Sequence, residues 1–147
     1  MTRSAAPSAA TIHLPGILAS AMLAHARAEL PNEACGMLGG IAAKGRVTSF
    51  HAARNRHASP LRYDVHPEDL VRIMFALESA GEELMAVFHS HTRSPAVPSP
   101  TDLREARYDV VHLIATLADP AADVVSALRA WRLRDGSALE VAVRISE

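Results

Sequence analysis

Between His89 and Asp102 the chain reads His-Ser-His, seven residues, Ser99, two residues, Asp102. Two imidazoles and a carboxylate are good zinc ligands, and here they share one short stretch. The apolar run Leu84-Met85-Ala86-Val87-Phe88 leads straight into them and reads as a buried strand. On a strand, side chains at i and i+2 share a face, so His89 and His91 project together. Three ligands leave the fourth tetrahedral position open for water, as catalytic zinc sites do and structural ones do not. The spacing points to hydrolytic metal chemistry with one zinc per chain. A plainer reading competes. Ser99-Pro100-Thr101-Asp102 is a good helix start, with Ser as N-cap, Pro at N1 and an acid at N3. That cap explains Ser99 and Asp102 but neither the paired histidines nor the Pro-rich loop between them.

These residues carry a family resemblance. The motif resembles that of the JAMM (MPN-domain) zinc metalloproteases, in which a Glu far upstream precedes His-x-His-x7-Ser-x2-Asp. His89, His91, Ser99 and Asp102 match it without a gap. The upstream acid resembles Glu33 in Pro31-Asn32-Glu33-Ala34-Cys35-Gly36, a stretch similar to the short prokaryotic branch that acts on ubiquitin-like and sulfur-carrier proteins. The resemblance implies zinc on His89, His91 and Asp102, Glu33 as general base, and Ser99 as donor to the developing oxyanion. Without it, Glu33 reads as a solvated acid at a strand edge, since spacing alone does not bring it to His89. Strand alternation turns Ser90 away from the metal. Cys35 reads as a small buried hydrophobe, or as a redox-sensitive thiol near zinc. Asn55 is either a turn residue or a border of the substrate groove. Thr92 and Arg93 are loop residues whose part in substrate contact the sequence leaves open.

The elements that must position these groups follow from pattern. Ile12 to Leu14 reads as a strand, followed by an amphipathic helix from about Pro15 to Glu29, which Pro31 stops. Ala34 to Ile41 and Val47 to Ala53 read as strands joined through Lys44-Gly45, with a further short strand at Leu61 to Val65. Pro67-Glu68-Asp69 opens a helix whose Leu70, Ile73, Met74 and Leu77 share one face, and Gly81 stops it. After the metal strand come a helix from about Pro100 to Tyr108 and a buried strand at Val110 to Leu117. Val124 to Leu133 and Leu139 to Ile145 read as strands of a hairpin turning at Asp135-Gly136. Strands interspersed with three helices give an α/β (α+β) fold, a mixed β-sheet sandwiched by helices. The JAMM/MPN fold implied by the resemblance is of this kind and is similar to that of cytidine deaminases.

At 147 residues the chain is long enough for one core. Residues 1–10 read as a disordered tail and 11–147 as the single domain. A net charge of −1 offers no electrostatic footprint for nucleic acid or anionic membrane. The single Cys excludes an internal disulfide and fits a reducing, cytoplasmic setting. No apolar run is long enough to span a bilayer. Arg3 and the run Ile17 to Leu23 faintly suggest a signal peptide, but the stretch continues through His25, Arg27 and Glu29 as an amphipathic helix. A zinc deaminase is excluded, because it needs a Pro-Cys-x-x-Cys pair. RadC-like relatives of the same fold typically carry Pro-Ser-Gly after the second His, where this chain has Thr92-Arg93-Ser94. A catalytically silent MPN scaffold normally lacks ligands, and none is missing here. The resemblance implies an (iso)peptidase acting at the C-terminal end of a small ubiquitin-like or sulfur-carrier partner, with a silent MPN scaffold or a RadC-like protein as the alternatives. The scissile bond is either an isopeptide or a peptide bond to a terminal residue. A homodimer is compatible with this reading.

Overall fold

A computed structural model describes residues 11–147, so the tail expected over Met1 to Ala10 lies outside the described residues. The elements in chain order are β1 (Ile12–Pro15), α1 (Gly16–Ala28), β2 (Cys35–Ile41), β3 (Arg46–Ala53), α2 (Pro67–Ser79), β4 (Glu83–His91), α3 (Pro100–Glu105), β5 (Val111–Thr116), α4 (Val124–Ala127), β6 (Leu128–Arg134), β7 (Ser137–Val141) and β8 (Val143–Ser146). All eight strands form one mixed sheet in the order β7-β6-β5-β4-β2-β3-β1-β8. β4 runs parallel to β5, and β1 parallel to both β3 and β8, while the other pairs are antiparallel. β7 and β8 stand at opposite ends of that order, yet only Ala142 separates them in the chain. The sheet therefore curls until its two ends are consecutive segments of one path. The Ile12 N–H donates to the Ala142 carbonyl at 2.9 Å where they meet.

Side-chain alternation divides the core into two layers. Leu14 of β1, Leu38 of β2, Phe88 of β4 and Leu113 of β5 pack against Met22 and Leu23 of α1. Their strand neighbours Met37 and Val87 point the other way, onto Ile73 and Leu77 of α2. Helices thus cover both faces, as the pattern requires. Each of these side chains contributes about 1.5–3 kcal/mol by leaving water. α1 supplies Ala19, Met22, Leu23 and Ala26 to the core, so the stretch that faintly resembled a signal peptide is an integral packing element. α2 begins as expected: His66 accepts the Glu68 N–H, Pro67 sits in the first turn, and Glu68 and Asp69 face the positive end of the helix dipole. Met74, expected in the core stripe, is 43% exposed, so Ile73 and Leu77 do the burying with Leu70 at the margin.

Three elements differ from the pattern-based expectation. Leu61 to Val65 forms no strand, only one bridge between Asn55 and Val65. The Asn55 side chain takes the segment's backbone groups instead, its Oδ1 accepting from His57 and Asp64 N–H and its Nδ2 donating to the Arg62 carbonyl. Val124 to Ala127 is a helical turn, because Asp123 caps it through the Ser126 N–H, and β6 begins only at Leu128. Leu139 to Ile145 is two strands rather than one, broken where the chain passes from one end of the sheet to the other. Leu139 is 63% exposed on the β7 edge.

Candidate active site

β4 carries its last residues to the α2 face of the sheet at the end where β2 begins. The antiparallel register pairs Cys35 with His89 and Gly36 with Phe88. One step beyond that ladder, the Ser90 N–H donates to the Ala34 carbonyl at 3.0 Å. Continuing the pairing places Glu33 opposite His91, on the same face as His89 by alternation. This register supplies the proximity that spacing in sequence left open. Gly36 is required in the motif because a Cβ there would lie 2.6 Å from the His51 carbonyl and 2.8 Å from the Phe50 ring. Ser90 faces the opposite layer, where its Oγ accepts the Ala34 N–H at 2.8 Å.

His89, His91 and Asp102 converge. Their Nε2, Nε2 and Oδ2 atoms are separated by 3.3, 3.2 and 3.0 Å. Zn–N bonds of about 2.0–2.1 Å in a tetrahedron put neighbouring ligand atoms about 3.3 Å apart, so a zinc ion fits this triangle. Among the described residues this is the cluster of His, Cys, Asp and Glu able to hold a metal, and all three members are buried. The His91 Nδ1 donates to the Pro95 carbonyl at 2.8 Å, which orients the ring with Nε2 toward the centre. His89 is held differently. Its Nδ1 has no partner, but the Tyr63 ring stacks on the imidazole at 4.4 Å and 15°. Burial keeps the His89 pKa down. Burial opposes the charged form of Asp102 too, but hydrogen bonds from both histidines outweigh it and hold the carboxylate far below its usual range.

The cap and the cluster are both realised. Ser99 Oγ accepts the Asp102 N–H at 3.0 Å, and the Ser99 N–H donates to Asp102 Oδ2 at 2.9 Å, a complete capping box at the start of α3. The same Oδ2 meets both imidazoles, so one carboxylate orients the helix and completes the triangle. Capping uses the Ser99 oxygen as acceptor and leaves its O–H free to donate.

Glu33 is only 4% exposed, and its Oε1 has no hydrogen-bond partner. Burial pushes its carboxyl up to about 8, with His91 pulling it down and Asp102 pushing it up, so it lies within electrostatic reach of the triangle. Its backbone is strung on the 55–64 loop: the Glu33 N–H donates to the Ser59 carbonyl at 2.8 Å, and Asn55 Nδ2 donates to the Glu33 carbonyl at 3.1 Å. Asn55 is therefore a clasp for Glu33 rather than a plain turn residue. Tyr63 and Asn55 show how that loop serves the site. No motif spacing singles out Tyr63, whose role depends on a long-range stack. Cys35 donates to the Arg54 carbonyl at 3.5 Å, and burial pushes its thiol up to about 12, so it stays a protonated buried side chain outside the triangle. An open groove of about 580 Å³ runs past Glu33, His91 and Ser99, lined also by Leu30, Pro31, Pro60, Leu61, Thr92, Arg93 and Ser94.

Comparison with known proteins places the chain in a family context. A family model described as prokaryotic homologs of the JAB domain matches residues 16–134. A protein of Mycobacterium tuberculosis named CysO-cysteine peptidase is 34% identical over 131 residues, covering 88% of each chain. A Thermus thermophilus protein named probable TtuB-protein conjugate cleaving protease is 38% identical over 104 residues, 70% of this chain and 68% of that one. Among solved structures, protein DSY2949 of Desulfitobacterium hafniense superposes with a TM-score of 0.84 at 30% identity, covering 92% of this chain and 93% of that one. A JAB1/MPN domain protein of Archaeoglobus fulgidus shares the fold, with a TM-score of 0.60 at 20% identity over 92% of this chain and 97% of that one.

Proposed function

The chain belongs to the prokaryotic homologs of the JAB domain, and on that premise we propose that it is a zinc-dependent peptidase, acting in the cytoplasm at the C-terminus of a small ubiquitin-like or sulfur-carrier protein. The observation that carries this reading is the buried, unpartnered Glu33 Oε1, set by the β2–β4 register beside the His89–His91–Asp102 triangle. A buried carboxylate without a partner is costly to fold around, and a proton-transfer role accounts for its being there. The relatives named as a CysO-cysteine peptidase and a TtuB-conjugate protease support the substrate class.

His89, His91 and Asp102 would hold a zinc ion. Zinc bound there would polarise the scissile carbonyl and bring the pKa of a water nucleophile from 15.7 toward about 7. Glu33 takes the proton of the attacking water at its free oxygen and returns it to the leaving nitrogen. Burial raises the Glu33 carboxyl, and the charge of a bound metal would draw it back toward the ionised form that takes a proton, so the group both accepts and releases one. The Ser99 hydroxyl donates to the oxyanion that develops at the carbonyl, a contact of the kind worth about 2.7–4 kcal/mol in the transition state. Leu30, Pro31, Pro60 and Leu61 give the groove an apolar lining that excludes water from an extended substrate tail. A catalytically silent scaffold has no use for an acid buried without a partner.

The test is to incubate zinc-loaded protein with a sulfur-carrier protein extended past its natural C-terminus and to read intact masses. The expected result is loss of the extension alone, abolished in Glu33→Gln with zinc retained. An intact carrier alongside ready cutting of unrelated short peptides would replace the reading with a general peptidase.

A further inference from the structure

The groove beside Glu33 has one charged side chain that the chemistry above leaves unused. Arg93 lies in its wall together with His91, Thr92, Ser94 and Ser99. Among the described residues it forms no ion pair and no side-chain hydrogen bond. The other cations near the site are engaged or lie elsewhere. Arg56 and Arg107 share Asp64, Arg62 pairs with Glu105, and Arg54 with Asp69. Arg104, held by Thr101, lines a different cavity, on the Tyr63 side of His89. Arg93 is thus the one free cation of the groove among the described residues, and Glu33 the one acid.

The backbone that presents Arg93 is anchored. Three successive carbonyls after it are each held by a side chain from a different place in the sheet. Ser94 accepts from Thr116 Oγ1 at 2.6 Å, Pro95 from His91 Nδ1 at 2.8 Å, and Ala96 from Trp131 Nε1 at 2.9 Å. Ala96 is buried against Ile114 and Trp131. Arg93 stands between this pinned segment and His91, two residues from a metal-directed imidazole. Its root is fixed, and its long side chain lines the same groove as Glu33, Ser99 and the apolar Leu30, Pro31, Pro60 and Leu61.

Resting on the peptidase reading, we infer that Arg93 is a specificity residue that binds the α-carboxylate of the leaving group, so that the bond cut joins the carrier's tail to a single terminal amino acid rather than to a lysine side chain. A terminal amino acid carries its carboxylate one carbon from the scissile nitrogen. A lysine ε-amine brings four methylenes there and no nearby anion. Hydrolysis breaks the C–N bond, adds the water oxygen to the carbonyl carbon and moves the water proton through Glu33 to the nitrogen. The products are the tail carboxylate and a free amino acid, with no other reactant needed. Guanidinium and carboxylate pair through two parallel N–H···O bonds, a geometry that an uncharged carboxamide cannot reproduce.

The experiment uses zinc-loaded protein and three forms of one sulfur-carrier protein: extended by a C-terminal alanine with a free carboxylate, extended by alaninamide, and joined to the ε-amine of a lysine peptide. The free acid is expected to show kcat/KM about 10–100-fold above the other two, the range of one charge-assisted contact. Arg93→Ala should bring the free acid down to the level of the others, Arg93→Lys should restore part of the preference, and Arg144→Ala, a cation at the distant β8 edge, should leave it unchanged. Free alanine should inhibit the wild type competitively where alaninamide does not, a readout that needs no variant. Equal cleavage of acid and amide by the wild type, or an Arg93→Ala defect equal on all three, overturns the inference while leaving the peptidase reading intact. Cleavage of none of them overturns both.

Discussion

Replacing Glu33 with Gln should remove activity and make the metal-free protein more stable. Burial raises the Glu33 carboxyl from 4.5 to about 8. The unfolded chain therefore releases this proton near pH 4.5, while the folded chain keeps it until about pH 8. Any stability that rests on the protonated form is fully present below pH 4.5 and is lost as pH rises through that window. Each pH unit there takes up to about 1.4 kcal/mol from the folded state, a ceiling of about 3 kcal/mol at pH 7. Gln has the same shape and no charge. Its own amide donors cost part of the gain, leaving about 1–2 kcal/mol, or a rise of roughly 3–8 °C in Tm for a domain of this size. The assay is thermal unfolding of chelator-treated wild type and Glu33→Gln from pH 4 to pH 9. The variant should lie slightly below wild type near pH 4, and the curves should cross as pH rises, with the variant the more stable from neutrality upward. Zinc should narrow the gap, because a nearby cation favours the charged carboxylate. A variant less stable than wild type at pH 8 would mean that Glu33 is a structural acid with a partner, and the proton-shuttle assignment would fail with it.

Three further outcomes follow from the site's supports. Tyr63→Ala removes the ring stacked on His89, and zinc affinity by competition with a chelator should fall about 10–100-fold, as losses of ligand-orienting groups do. Asn55→Ala releases the Glu33 carbonyl and the 55–64 loop; kcat should fall about tenfold or more with zinc content unchanged, since small displacements of reacting groups are costly. The Arg54 side-chain hydrogen bond holds the Asp69 carboxyl at about 2 against an ordinary 3.8, so its stabilisation is present above pH 4 and is lost as pH falls toward 2. Screening at the half-exposed Arg54 limits it to about 1 kcal/mol, and Asp69→Asn should flatten that part of the acid unfolding curve.

Much of this architecture was legible because the decisive signals were local. The Ser99–Asp102 capping box is a four-residue pattern. The strand entering His89 is an uninterrupted apolar run, and α2 announces itself through Pro67, two acids and a 3.6-residue stripe. What escaped depends on contacts between distant segments. Leu61 to Val65 has strand-like composition, yet Asn55 captures its backbone groups. The run from Leu139 to Ile145 alternates correctly, but nothing local reports that Val141 and Val143 pair at opposite ends of a curled sheet. At the site, the His89–His91 face followed from strand periodicity, whereas Glu33 needed the β2–β4 register and Tyr63 needed the folded loop. The capping and metal readings of Asp102 looked like alternatives because sequence assigns a residue one role at a time. In the fold a single oxygen closes the capping box and meets both imidazoles.

The most direct test of the account is to titrate zinc into metal-free protein while following cleavage of the extended sulfur-carrier protein. The account predicts that activity rises linearly and breaks at one zinc per chain, and that His91→Ala shows no rise over the same range. Full activity in the chelator-treated protein, or a normal titration in His91→Ala, would contradict it.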